Sequence, residues 1–315
     1  MKSKLKKAGI LSILVTITLY IINRAIYSIS TVKEILKAKS NQYYEWRFGK
    51  IKYTVSGEGK PILLIHDLTP GSSGYEFHKI KDELAKANLV YVIDLLGYGL
   101  SDKVNITYTN FLYVQLISDF IKNIIGEKTD VITSGDSSSI AIMTCHNSPD
   151  LIDKMIFINP QNISRLNQIP SKGTKILKLL IECPIIGTFV YNLLTCKTSI
   201  KKAFENEYFY NKDFIRIGDI EAYMEAAHLK DFHSKYAISS YLGRYTNINI
   251  LHALKEIDYS MFIIEGTGEN EAAEVTTDYL NYNNAIEVIY VEETKHLPHL
   301  ERPEEVVNHI RTYMQ

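Results

Sequence analysis

Near its C-terminal end the chain reads Lys295-His296-Leu297-Pro298-His299-Leu300-Glu301-Arg302-Pro303-Glu304-Glu305. The Glu-Arg-Pro turn starts a helix, because proline is preorganised for a first helical position and lacks only a donor that is orphaned there anyway. His296 therefore stands on a loop just ahead of a helix. Upstream, residues 61–65, 89–93, 130–133, 155–158, 261–264 and 286–291 form short runs that are mostly apolar. Runs of this kind mark strands buried on both faces of a parallel sheet. Helix-like segments such as 114–125 and 140–147 separate them. Residues 44–48 and 51–55 alternate in face and read as a hairpin around Gly49-Lys50. The pattern predicts an α/β fold with a doubly wound, mostly parallel sheet.

The interval 161–255 is too long for a plain connection. It is helical in pattern at 174–194, 220–228 and 235–242, which predicts an inserted helical unit, with 43–160 and 256–315 forming the core. The apolar stretch 181–191 within it is expected to pack against the sheet, with lining of an apolar pocket as the alternative.

At 315 residues and a formal net charge of −1, nothing points to a nucleic-acid partner. Cys145, Cys183 and Cys196 are scattered, which excludes a disulfide framework and a zinc site. The N-terminus has its own character. Lys2, Lys4, Lys6 and Lys7 precede an uncharged run, 8–23, which gives about 24 Å of helix, and Arg24 can snorkel so that the span extends. Residues 1–30 are expected to be a membrane anchor, spanning at about 8–27, or a signal segment. A cleaved signal and an amphipathic or buried helix are the alternatives. The leading lysines favour a cytoplasmic N-terminus and an extracytoplasmic domain, a bias that Arg24, Lys33, Lys37 and Lys39 weaken. Residues 31–42 read as a linker.

The His296 loop resembles the catalytic-histidine loop of the α/β-hydrolase family, G-H-x-P-H-x-E-R-P-E-E. Upstream segments match the same family in order. Asp94-Leu95-Leu96-Gly97-Tyr98-Gly99-Leu100-Ser101-Asp102 resembles its D-x-x-G-x-G-x-S-D turn, which is structural. His66-Asp67-Leu68 resembles its H-G-x motif, with Asp67 in place of the usual glycine. The resemblance assigns an oxyanion-hole amide to Leu68, and a carboxylate at Asp67 would oppose a developing oxyanion unless it points away. It assigns the His-orienting acid to Glu269, with Glu265 a weaker candidate, and makes His296 the catalytic base with His299 packing the loop. The insertion at 161–255 is the family's cap. No metal or organic cofactor is implied.

The nucleophile elbow, small-x-nucleophile-x-small, falls on Thr133-Ser134-Gly135-Asp136-Ser137-Ser138-Ser139. Three registers fit. Ser137 gives G-x-S-x-S and a Ser137-His296-Glu269 triad acting on a carboxylic ester or similar acyl substrate. Asp136 gives the arrangement of dehalogenases and epoxide hydrolases. Gly135 places no nucleophile at the elbow and leaves a protein that binds an apolar ligand or partner. A gapless count back from Pro149 favours Gly135, where glycine would relieve the strain of the turn.

Overall fold

The structure, a computed structural model, describes residues 2–37, 42–230 and 232–314. Its centre is an eight-stranded sheet: β1 (Tyr43–Trp46), β2 (Gly49–Ser56), β3 (Lys60–Ile65), β4 (Asn88–Ile93), β5 (Thr129–Ser134), β6 (Ile152–Ile158), β7 (Met261–Gly266) and β8 (Ile286–Val291). The strands lie in the order β1-β2-β4-β3-β5-β6-β7-β8. The β1–β2 and β2–β4 pairs are antiparallel and every later pair is parallel. Each apolar run singled out in the sequence forms part of a strand. Ile62, Leu63, Leu64, Ile65, Val131, Ile132, Ile156 and Phe157 are fully buried, as strands covered by helices on both faces must be.

The chain steps from β3 outward to β4, then returns across β3 to β5. Strand order therefore reverses between β3 and β5, and in doubly wound sheets ligands bind at the carboxyl ends of strands at such a point. The Asp94 turn buttresses it: the Gly74 and Leu100 amides donate to the Asp94 carboxylate at 2.7 Å each. Gly97 and Gly99 take the positive φ values, 92° and 47°, that the turn requires.

Between β6 and β7 the chain is helical, as expected, but the segment 174–194 is not one helix. It breaks into Lys172–Glu182 and Ile186–Thr195, bent by 101°. Pro184 is the cause: it forbids the α conformation to Cys183, which is extended at ψ 137°, and Ile185 turns the corner at φ 59°. Helices Ile217–His228 and Ser234–Leu242 follow.

Within the N-terminal helix Lys2–Thr31 the segment Lys6–Thr31 is long and apolar enough to cross a membrane, and most of its apolar side chains from Ile10 to Ile22 stand exposed. Asn23, buried on the same helix, donates to the Ile185 carbonyl (3.0 Å) and accepts from Asn192 (2.9 Å). The stretch 181–191 thus meets the N-terminal helix as well as the core: Ile181 and Tyr191 are buried, whereas Ile186 is exposed. Lys33 pairs with Glu221, and Glu225 accepts from the Ile35 and Leu36 amides. Residues 38–41 of the expected linker, Lys39 among them, lie outside the described residues.

Candidate active site

His296 leaves β8 on a loop that its own sequence pins. The Glu301 carboxylate accepts from the Lys295 amide (2.8 Å) and from the amides of Tyr210 (2.8 Å) and Asn211 (3.1 Å), tying the loop to the insertion. Asn159, at the end of β6, accepts from the Gly266 amide (2.7 Å) and donates to the Lys295 carbonyl (2.6 Å). It thereby sets the spacing between the loops after β7 and β8. His299 is buried against Phe77, with ring centroids 5.4 Å apart.

The structure brings Glu269 and His296 together: Nδ1 lies 3.0 Å from Glu269 Oε1. Glu265 does not reach the ring by a hydrogen bond. Burial, and then the nearby charge of Glu269, push its carboxyl well above the usual range. On the other side, His296 Nε2 lies 3.1 Å from Asp67 Oδ2. The imidazole is held at both nitrogens by carboxylates. Burial alone would lower its pKa, but the hydrogen bonds and charges of Asp67 and Glu269 outweigh burial and hold it well above the ordinary histidine value.

Gly135 stands at the strand-to-helix turn. It follows β5 at φ 55°, in the left-handed region, and the turn runs through Gly135–Ser137 into the helix Ser138–Asn147. Ser137, the expected nucleophile, is two residues into the helical turn. It is fully buried and donates its hydroxyl to the His66 carbonyl, away from the imidazole. Asp136, the alternative, also does not meet His296: its Oδ2 accepts from Gln161 (3.2 Å) and from the Tyr241 hydroxyl (3.1 Å). Burial, then the charge of Asp67, push the Asp136 carboxyl up to about 6.

The space a tip side chain would fill holds Asp67 instead. A Cβ placed on Gly135 would fall well inside van der Waals contact of the Asp67 carboxylate. Asp67 Oδ1 accepts from the Leu68 amide (2.7 Å) and the Asp136 amide (2.8 Å). One of these N–H groups follows β3 and the other follows Gly135, the two places from which the resemblance drew oxyanion-hole donors. The Leu68 amide, expected from the sequence to donate to an oxyanion, donates here to the neighbouring carboxylate. Burial would raise the pKa of Asp67, yet the hydrogen bond and charge of His296, with the two amides, hold it below the ordinary carboxylate value. His66 holds the loop: Nε2 accepts from the Leu95 amide (3.0 Å), so Nδ1 carries the proton toward the Asp67 carbonyl (2.6 Å).

A cavity of ≈ 350 Å³ opens over this centre, with His296, Thr69 and Asp136 on its wall. The insertion supplies residues for which the sequence held no motif. Tyr208 stacks on His296 at 5.4 Å between centroids. Arg165 donates to the Tyr241 hydroxyl (3.0 Å), which in turn donates to Asp136. The stretch 181–191 does not line this cavity. Among the described residues, no cluster of His, Cys, Asp and Glu is arranged to hold a metal ion.

A profile of the alpha/beta hydrolase family matches residues 62–309. An uncharacterized protein of Mycobacterium tuberculosis is 24% identical over 143 residues, 42% of this chain and 41% of that protein. The 2-hydroxy-6-oxo-6-(2'-aminophenyl)hexa-2,4-dienoic acid hydrolase of Metapseudomonas resinovorans is 28% identical over 137 residues, 40% of this chain and 46% of that enzyme. The chain thus aligns with less than half the length of either relative. Among solved structures, the meta-cleavage product hydrolase of Pseudomonas fluorescens superposes with a TM-score of 0.70 at 15% identity, over 87% of this chain and 97% of that one. That likeness is one of fold.

Proposed function

Because the chain belongs to the alpha/beta hydrolase family, we propose that it is a membrane-anchored hydrolase of a small molecule in which His296, oriented by Glu269, moves the proton. The observation that carries this reading is the imidazole on the wall of the cavity, fixed by Glu269 at Nδ1 and facing the Asp67 carboxylate at Nε2. An acid behind a histidine fixes its tautomer and stabilises the imidazolium that forms during proton transfer. A Ser137-His296-Glu269 triad draws no support from the geometry, since the Ser137 hydroxyl is spent on a backbone carbonyl. Nor does an acyl substrate held in the Leu68 and Asp136 amides, which already bind Asp67.

In this reading residues 161–255 are a cap over the core formed by 43–160 and 256–315. Support comes from Tyr208, Arg165 and Tyr241, which reach the cavity from the segment between β6 and β7. The anchor reading rests on the pairing of Asn23 with Asn192 and Ile185, because a signal segment discarded after export would have no use for buried hydrogen bonds to the cap. Exposed Leu179, Leu180, Ile186, Leu193 and Leu194 lie on the cap helices beside that contact and extend the apolar surface of the anchor. With the leading lysines on the cytoplasmic side, this reading puts the domain outside the cytoplasm, close against the bilayer.

The test is hydrolysis of a panel of esters, lactones and epoxides by the full chain in detergent, with His296→Ala and Glu269→Gln beside it. Turnover that falls by about two to four orders of magnitude in His296→Ala is expected. A second reading, a ligand-binding protein without turnover, is favoured by one observation: the Asp67 carboxylate fills the amide pair. No turnover of any substrate, with ligand binding retained, would make it the better one.

A further inference from the structure

Asp67 is placed as no structural carboxylate needs to be. Its Oδ1 takes both amides, of Leu68 and of Asp136, while its Oδ2 faces the imidazole at 3.1 Å. It fills the volume that a side chain on Gly135 would occupy, and glycine at the tip is what admits it. The positions left for a nucleophile, an oxyanion and a base are thus occupied by one carboxylate and His296. Resting on the hydrolase reading above, we propose that Asp67 is the nucleophile, delivered from the end of β3 instead of from the elbow, and that the substrate is an epoxide opened through an ester on Asp67.

The occupied amide pair decides between substrate classes. Attack on an acyl carbon would build an oxyanion on the substrate, and the donors for it are already taken by Asp67 Oδ1. Attack on a saturated carbon builds none. The donors become useful one step later, when the ester on Asp67 is hydrolysed, because its carbonyl oxygen is Oδ1 and already sits between them. The site is preorganised to hydrolyse an ester of its own side chain.

The steps balance with His296 alone as proton carrier. Asp67 Oδ2 attacks a ring carbon of the epoxide, the C–O bond breaks, and the imidazolium gives its proton to the alkoxide. Esterification removes the Asp67 charge that held His296 protonated, so the imidazole is left neutral as a base. It then takes a proton from a water that attacks Asp67 Cγ. The tetrahedral intermediate expels the alkoxide, which recovers a proton from His296, and the Asp67 carboxyl returns its proton to the imidazole. Epoxide and water give a diol and the starting enzyme. An alkyl halide fits less well, because halide departure needs N–H donors and no proton. The chain's one indole, Trp46, is on β1 with its N–H on Asp119 (2.8 Å). Asp67 is 1% exposed and its Oδ2 is covered by the His296 ring that lines the cavity, so attack on an epoxide requires that ring to move aside.

The experiment is a single turnover of styrene oxide by excess full chain in H2-18-O, with mass analysis of both the diol and the peptide that carries Asp67. The expected result is an unlabelled first-turnover diol and one heavy oxygen on Asp67. His296→Gln should accumulate the peptide heavier by the mass of the epoxide, and Asp67→Asn should lower turnover by about a thousandfold or more. The label on the unmodified chain does not depend on any variant folding. Heavy oxygen in the first diol with none on Asp67 overturns the nucleophile while leaving His296 as a base. Ester or lactone turnover that needs His296, with epoxide untouched, overturns this proposal and leaves the hydrolase reading standing. No turnover of any kind removes the hydrolase reading and this one with it.

Discussion

The exchange of positions between Asp67 and Gly135 predicts a specific coupling between them. Gly135→Ser alone forces a side chain onto a residue at φ 55°, which costs about 1–2 kcal/mol for a residue with a Cβ. It also drives that Cβ into the Asp67 carboxylate, and overpacking of this kind costs about 1–3 kcal/mol. The single variant should therefore lose about 2–5 kcal/mol. With Asp67→Gly in the same chain the overpacking disappears and only the backbone strain remains. The double variant should be more stable than the sum of the two singles by about 1–3 kcal/mol. It should also gain chemistry: the amides of Leu68 and Asp136 are freed, and the introduced hydroxyl faces His296 backed by Glu269. Guanidinium denaturation of the four chains in one detergent measures the coupling, and labelling by a fluorophosphonate measures the hydroxyl. Labelling is expected only in the double variant. A Gly135→Ser chain as stable as the unmodified one, or one that labels by itself, would refute the claim that Asp67 occupies the nucleophile's space.

Ser137→Ala should cost about 1 kcal/mol, the value of one buried hydrogen bond to the His66 carbonyl, and leave turnover within a few-fold; loss of turnover by orders of magnitude would return Ser137 to the site. The pH dependence of stability follows from the pair. His296 faces Asp67 on the loop after β3, Glu265 near the end of β7, Glu269 on the loop after β7, and Tyr208 of the insertion. Its raised pKa contributes stability that is fully present below about 6.5 and is lost as pH rises through the folded value. The lowered pKa of Asp67 contributes stability present above about 3.9 and lost as pH falls through its folded value. The gap in melting temperature between the unmodified chain and His296→Gln should therefore be widest between about pH 4 and 6.5 and narrow toward alkaline pH; a gap independent of pH would show that the pair is not charged as argued.

Much of this molecule was legible along the chain. The buried strands announced themselves as apolar runs, because a strand covered on both faces has no solvent side to encode. The His296 loop and the Asp94 turn are local devices whose prolines, glycines and carboxylates act within a few residues of themselves, so their spacing survives in sequence. Pro184 was equally visible, but the expectation of helix over 174–194 passed over it, although the break at Cys183 follows from a local rule about the residue before proline. The count from Pro149 to Gly135 was also in the sequence. It could not say what fills the vacated position. That was decided by pairing: Ile65 of β3 lies beside Thr133 of β5, so Asp67 and Gly135 each stand two residues past the last paired rung and face one another. A side chain from one strand can replace a missing one on the next only where the sheet aligns them, and registers between strands separated by 68 positions are set by the fold as a whole. The same holds for Tyr208, Arg165 and Tyr241, ordinary residues in an insertion until tertiary packing folds it over the carboxyl ends of the strands.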